Sequence, residues 1–328
     1  MKYARLRAIE YALPQRIEDN AFLIADMQSE WSAEDIFDKT GIRERHIVEQ
    51  EECASDLAIM AAEKLFSSHK GIRESIDFVI FCTQSPDYAL PTTACLLQSR
   101  LGLPKSCGAM DINQGCTGFI YGLTIAKGLI ESGTANNILL LNAETYSKYI
   151  GRRDKTTRTI FGDGAAATWI ASGGDEALTI GPFVFGTDGT GAENLIVRNS
   201  GTRIEGDNVR QPLFMDGPEI FQFTLTVVPK TVKALLEKAE LEKEDVDLFV
   251  FHQANAFILE HLRKKIGIPR EKFLLDMEDT GNTVSASIPI VLKRAFKGNT
   301  IARDMKVMLL GFGVGYAWGG CVLQGGKE

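Results

Sequence analysis

Apolar and polar positions along this chain alternate between two kinds of run. Ile76-Asp77-Phe78-Val79-Ile80-Phe81 and Ile138-Leu139-Leu140-Leu141 are compact apolar runs of strand length, and Gly108-Ala109-Met110-Asp111-Ile112 is a shorter third. Between them lie stretches with helical spacing. They run from Asp56 to Phe66 with Ser55 as the expected cap, from Thr93 to Leu101 with Gly102 as the stop, and from Thr117 to Glu131. The last is apolar almost all round, which predicts a core helix rather than a surface one. Strands alternating with helices predict an α/β fold, a mostly parallel sheet with helices on its faces.

The second half repeats the order. Val246-Asp247-Leu248-Phe249-Val250-Phe251 matches the run at Ile76, with Asp247 standing 170 residues after Asp77. Val307-Met308-Leu309-Leu310 matches Ile138-Leu139-Leu140-Leu141 at an offset of 169, and Gly128 and Gly298, 170 apart, end similar helices. One offset of half the chain predicts an internal duplication, with halves 1–172 and 173–328. Gly181 to Gly217, rich in Gly, Asp and Asn, reads as a surface excursion flanking a cleft, and Pro218 opens the helix after it.

Composition narrows the class. With 45% apolar and 24% charged residues in 328, the chain can bury a large core without disulfide or metal staples. A net charge of −7 argues against a general nucleic-acid binder. The first residues lack the apolar core of a signal peptide, and no apolar run reaches the ~18 residues of a membrane span, so a cytoplasmic location with reduced thiols is expected. A cysteine is then either a small core residue or a nucleophile.

Cys116 fits the second description. It lies in Asp111-Ile112-Asn113-Gln114-Gly115-Cys116-Thr117-Gly118, between a strand and the apolar helix. Unpaired N–H groups at a helix start favour a thiolate, so a lowered pKa is expected there. Cys53, Cys82, Cys95, Cys107 and Cys321 lack that setting. Of the four histidines, His46, His69 and His261 sit among polar residues. His252 directly follows the strand Leu248-Phe249-Val250-Phe251, at the carboxyl end where α/β sheets bind ligands. Asn282, in Gly281-Asn282-Thr283, falls near the duplicate of the Cys116 junction. No His/Cys/Asp/Glu cluster has metal-ligand spacing, and neither a phosphate loop nor a dinucleotide fingerprint is present.

Together these motifs resemble the β-ketoacyl-[acyl-carrier-protein] synthase III family, condensing enzymes of the thiolase superfamily. The resemblance runs through Thr40-Gly41-Ile42-Arg43-Glu44-Arg45-His46, the Cys116 junction and Phe161-Gly162-Asp163-Gly164-Ala165. It continues through His252-Gln253-Ala254-Asn255, Gly281-Asn282-Thr283 and Gly311-Phe312-Gly313-Val314-Gly315. It implies a thiolase-like layered αβαβα fold from two duplicated halves, and a homodimer without a resident cofactor. Coenzyme A or phosphopantetheine would arrive as part of the substrates. The implied reaction loads an acyl group from acyl-CoA or acyl-carrier-protein onto Cys116. That group then condenses with malonyl-acyl-carrier-protein, losing CO2 at His252 and Asn282. The backbone N–H groups of Cys116 and Val314 would form the oxyanion hole. The alternative is a non-condensing acyltransferase passing the acyl group to an alcohol or amine. An additional general acid/base glutamate, as in related chemistry, cannot be placed from the sequence.

The chain departs from the family at its binding surfaces. Where better-studied members have a Trp five residues before Thr-Gly-Ile, this chain has Asp35, and Trp31 lies four residues earlier. Two basic positions for coenzyme A are Lys39 and Lys155. The carrier-protein arginine is replaced by Phe257, which leaves Arg263-Lys264-Lys265 or Arg152-Arg153 as candidates for carrier docking. Leu90, before Pro91, takes the position that shapes the acyl pocket across the dimer.

Overall fold

The computed structural model describes residues 2–173, 177–207, 209–302 and 304–325. Among these, nine strands form one mixed sheet: β1 Ala4–Ala12, β2 Phe78–Cys82, β3 Gly108–Ile112, β4 Asn137–Glu144, β5 Gly164–Ser172, β6 Leu178–Thr187, β7 Leu248–Phe251, β8 Lys306–Gly313 and β9 Ala317–Gln324. Their spatial order is β7-β8-β9-β6-β1-β5-β4-β2-β3. β2 pairs in parallel with both β3 and β4, β7 pairs in parallel with β8, and the remaining pairs are antiparallel. The two sides meet at β1 and β6 through a short register, Arg5 opposite Thr179 and Leu6 opposite Leu178. Outward from that seam, β1-β5-β4-β2-β3 on one side is answered by β6-β9-β8-β7 on the other. A single parallel bridge from Phe249 to Phe273 stands where a fifth strand would be.

Six helices matter for the site: α1 Ala54–Ser68, α2 Thr93–Arg100, α3 Gly118–Glu131, α4 Gly217–Ala239, α5 Ala256–Ile266 and α6 Ser287–Lys297. The period-2 alternation of the apolar strands divides them into layers. Ile80, Leu140, Val250 and Leu309 face an inner core shared with α3 and α6. Val79, Phe81, Leu139 and Leu141 face an outer core under α1, while Phe249, Phe251, Met308 and Leu310 face another under α4. The result is the five-layered thiolase-like architecture. α3 touches strands of both sides, which is why its sequence is apolar all round.

Several expectations shift. α1 starts at Ala54, one residue before the expected cap. Cys53 takes the cap position, its N–H donating to Asp56, and Ser55 instead donates to Asp87. The strand expected from Ile76 starts at Phe78, because the Asp77 carboxylate accepts from the N–H groups of Asn136 and Asn137. Gly181 to Thr187 belongs to β6, so the excursion begins only after Thr187. Gly128 lies inside α3 whereas Gly298 caps α6, so these two glycines are not equivalent landmarks.

The inner core is tight where α3 crosses β4. A Cβ added at Gly122 would lie 2.6 Å from Leu140 Cδ1, and Leu140 is fully buried. Gly122→Ala is therefore expected to destabilise the wild type by about 1–3 kcal/mol through overpacking. Leu140→Ala should cost about 2–5 kcal/mol. In that enlarged background Gly122→Ala should become stabilising, by up to about 1 kcal/mol of helix propensity. Urea midpoints of the four proteins measure the reversal of sign.

Candidate active site

Cys116 lies between the end of β3 and the start of α3, one residue before the helix cap Thr117, and is buried. Strand β8 closes over it. A Cβ at Gly313 would sit 2.7 Å from Cys116 Sγ, and one at Gly311 would sit 2.7 Å from the Cys116 carbonyl oxygen, so both positions need glycine for close approach. Sequence reasoning expected a helix-depressed thiol, and the structure reverses that. Burial pushes the Cys116 thiol up to about 12; hydrogen bonds from the backbone N–H groups of Val314 and of Cys116 itself pull it back only in part, and the nearby Glu144 carboxyl adds to the rise. Desolvation of the thiolate outweighs the helix end.

His252 follows β7 directly, its N–H donating to the Leu310 carbonyl at 2.7 Å. Its Nδ1 lies 2.8 Å from Ser287 Oγ, which also accepts from the Gln253 N–H at 3.4 Å. A serine hydroxyl can both accept from that N–H and donate to Nδ1, and in the tautomer where it does so the ring proton sits on Nε2. Burial pushes His252 down to about 3, opposed only in part by a hydrogen bond to the Val284 backbone. The ring is a neutral donor throughout the physiological range.

Asn282 is held by its main chain, its N–H donating to the Ile160 carbonyl at 2.9 Å and its carbonyl accepting from Gly162 at 3.1 Å. Its Oδ1 accepts from the Val284 N–H at 2.9 Å, so Nδ2 is the end left for a ligand. Two residues in this turn have left-handed backbone. Gly281 has φ of 65°, and a Cβ there would meet the Ile160 carbonyl at 2.7 Å. Val284 has φ of 53°, a conformation that costs a β-branched residue on the order of 1–3 kcal/mol.

These three residues line one cavity of about 470 Å³, with Gly313, Phe312 and the apolar Leu195 and Ile220 among its other walls. Its rim is aromatic: half-exposed Phe257 stacks 4.3 Å from His261 and 5.6 Å from Phe221. A second cavity of about 350 Å³ lies behind Val314, lined by Gln84, Tyr146, Tyr149 and Leu213. A larger cavity, about 570 Å³, is lined by none of the three residues. Two of its arginines are paired within it, Arg152 and Arg158 both bound to Asp26 and Arg158 also bound to Glu18.

The other candidates scatter. Lys39 Nζ sits 3.8 Å from the centre of the Trp31 ring and Lys155 Nζ 6.0 Å from it, so these three form one cluster despite the displaced tryptophan. Arg152 is tied to Asp26, Arg153 is exposed, and Arg263 is tied to Glu260. Lys264 and Lys265 are exposed on the last turn of α5. Leu90 is 82% exposed and lines neither cavity beside Cys116. Sequence reasoning missed Ser287, Val284, Ser285 and Glu144. The first three look like ordinary turn and helix-start residues, and Glu144 looks like the polar end of an apolar strand.

Two family models match, 3-oxoacyl-[acyl-carrier-protein (ACP)] synthase III over residues 110–189 and its C-terminal model over residues 236–324. A β-ketoacyl-[acyl-carrier-protein] synthase III from Lactococcus lactis is 37% identical, over 99% of this chain and all of that protein. A crystal structure described as 3-oxoacyl-(acyl-carrier-protein) synthase III superposes with a TM-score of 0.92 at 47% identity, covering 98% of this chain and 99% of that one. The Thermus thermophilus β-ketoacyl-[acyl carrier protein] synthase III gives 0.90 at 37%, covering 99% and 100%.

The raised thiol sets a pH signature. The iodoacetamide rate at Cys116 should keep rising roughly tenfold per pH unit beyond pH ~9, where an ordinary thiol levels off. Peptide mapping across pH 7–10.5 checks this, with exposed Cys95 as the internal comparison. Gly313→Ala should slow the same labelling further, since its methyl group would displace the sulfur.

Proposed function

The chain belongs to the 3-oxoacyl-[acyl-carrier-protein] synthase III family of condensing enzymes, which carry out Claisen condensation, and on that premise we propose a decarboxylative route through an acyl-Cys116 intermediate. An acyl thioester loses its thiol carrier as Cys116 Sγ attacks the carbonyl carbon. The Cys116 proton leaves with the departing thiolate. The tetrahedral oxyanion is held by the backbone N–H groups of Cys116 and Val314. Malonyl-acyl-carrier-protein then loses CO2, and the electron pair of the broken C–C bond becomes a thioester enolate. Nε2–H of neutral His252 and Nδ2 of Asn282 donate to the enolate oxygen. Its carbon attacks the acyl carbonyl, the C–S bond to Cys116 breaks to give a 3-oxoacyl-acyl-carrier-protein, and the released thiolate takes up a proton from water to restore the resting thiol. The observation that carries this reading is the convergence of a nucleophile and two uncharged donors on one 470 Å³ cavity.

Division of labour follows the proposed halves, 1–172 supplying the nucleophile and 173–328 the enolate donors. We assign the Trp31–Lys39–Lys155 cluster to the coenzyme A end of a donor, where lysines meet phosphate as point charges. The acyl chain is assigned to the cavity behind Val314. Carrier protein, itself acidic, is assigned to the Phe257 rim with Lys264 and Lys265 below it. Among the described residues β3 ends the sheet with a half-buried edge that no strand pairs, and with Leu90 exposed nearby this supports a homodimer built on that edge.

The half-reactions should separate by mutation. Cys116→Ala is expected to abolish acyl-enzyme formation yet still release CO2 from malonyl-carrier-protein. His252→Ala and Asn282→Ala should still form acyl-Cys116 while CO2 release falls on the order of 10²–10³-fold. Intact-mass acylation and labelled CO2 release on the same proteins read both steps. If wild type shows no CO2 release at all, the reading gives way to simple acyl transfer to an alcohol or amine.

The neutral histidine adds a second test. Because burial lowers the His252 pKa to about 3, protonation sets in only far below neutrality. CO2 release by Cys116→Ala should therefore show no inflection near pH ~6.5 between pH 8 and 5.5.

A further inference from the structure

Glu144, the last residue of β4, is completely buried and lines neither cavity beside Cys116. Among the described residues, its carboxyl accepts hydrogen bonds from two turns. Oε2 accepts from the Gln84 N–H at 3.0 Å and from the hydroxyls of Ser85 at 3.2 Å and Thr83 at 3.4 Å. Oε1 accepts from the Ser285 hydroxyl at 2.8 Å. Each turn leads to the chemistry. Gln84 places its amide against Gly115, beside the nucleophile. Ser285 directly follows Val284, whose N–H holds Asn282 Oδ1.

The Asn282 turn needs such a brace. Val284 is in left-handed backbone that a β-branched side chain disfavours, so the turn is not set by its own preference. Outside the turn, the Ser285 hydroxyl is held by the Glu144 carboxyl at 2.8 Å. The carboxyl is raised to about 8, chiefly by burial, so the fold bears the cost of desolvating it. A group kept there at such a cost, facing no ligand, acts through what it holds.

We propose that Glu144 is a positioning residue for decarboxylation: it braces the Val284–Ser285 turn against the Thr83–Ser85 turn and so aims the Asn282 amide at the enolate oxygen. This rests on the role given to Asn282 above. The brace acts on the second half-reaction, because acyl transfer to Cys116 uses backbone donors of other elements.

The test compares Ser285→Ala, Glu144→Leu, Glu144→Gln, the Ser285→Ala/Glu144→Leu double variant and Asn282→Ala. Labelled CO2 release from malonyl-carrier-protein and intact-mass acylation are measured on each. Ser285→Ala and Glu144→Leu should lower kcat for CO2 release about 10- to 100-fold, as misplacement of a donor does, with KM and acylation changed by less than about threefold. Glu144→Gln retains a carbonyl acceptor for Ser285 and should recover most of the loss. The double variant should be no slower than the worse single one, since both cut one strut. Ser285→Ala removes a single oxygen and keeps the test open if Glu144→Leu does not fold. Wild-type CO2 release in Ser285→Ala, or an equal fall in both half-reactions, overturns the brace. If Asn282→Ala itself decarboxylates at the wild-type rate, the reading beneath it falls instead.

Discussion

The close approach of β8 to Cys116 holds the site together. Gly311 and Gly313 bring a strand from the second half within contact distance of a residue from the first, nearer than any side chain would permit. That contact aims the Val314 N–H at the sulfur and seals the thiol from water. It also separates the cavity holding His252 and Asn282 from the one behind Val314. The five layers serve this contact: α3 carries Cys116 into the centre, and strands of both sides pack around it.

Sealing decides the electrostatics. Burial drives Cys116, Glu144 and His252 each toward the uncharged form. The resting pocket would therefore meet the proposed thioester as a neutral, oriented set of N–H donors. Such donors gain strength where water is excluded, and they gain most against an oxygen that acquires charge only during the reaction. A thiolate formed in advance would be poorly solvated here, so in the route proposed above deprotonation would accompany the attack.

Much of this was legible in the sequence because it rests on local pattern. The apolar runs at Ile138 and Val307 read as strands, and the all-round apolar stretch from Thr117 read as the inner helix it is. Cys116 and His252 stood out because each follows a strand at a junction. The thiol's pKa was misread because a helix start is visible in sequence, whereas the atoms packed over it, among them β8 some 200 residues later, are not. Trp31 looked displaced from its partners, yet the lysines follow it in space. Glu144, Ser285 and Val284 left no signal: their meaning comes from a contact across 141 residues and from a backbone angle.

The two ends of the sheet differ. Beyond β7 the chain folds back through the Phe273 bridge and the Leu274 N–H donates to the Phe249 carbonyl, so that border is closed from within. β3 has no strand outside it among the described residues. A sheet with one open border has a valence of one. It can accept a single neighbouring strand, and once that bond is made no site for further growth is left. Propagation of the sheet into a ribbon would need two open borders per molecule, so a homodimer of the kind proposed above, built on β3, would leave no sheet border for a further step.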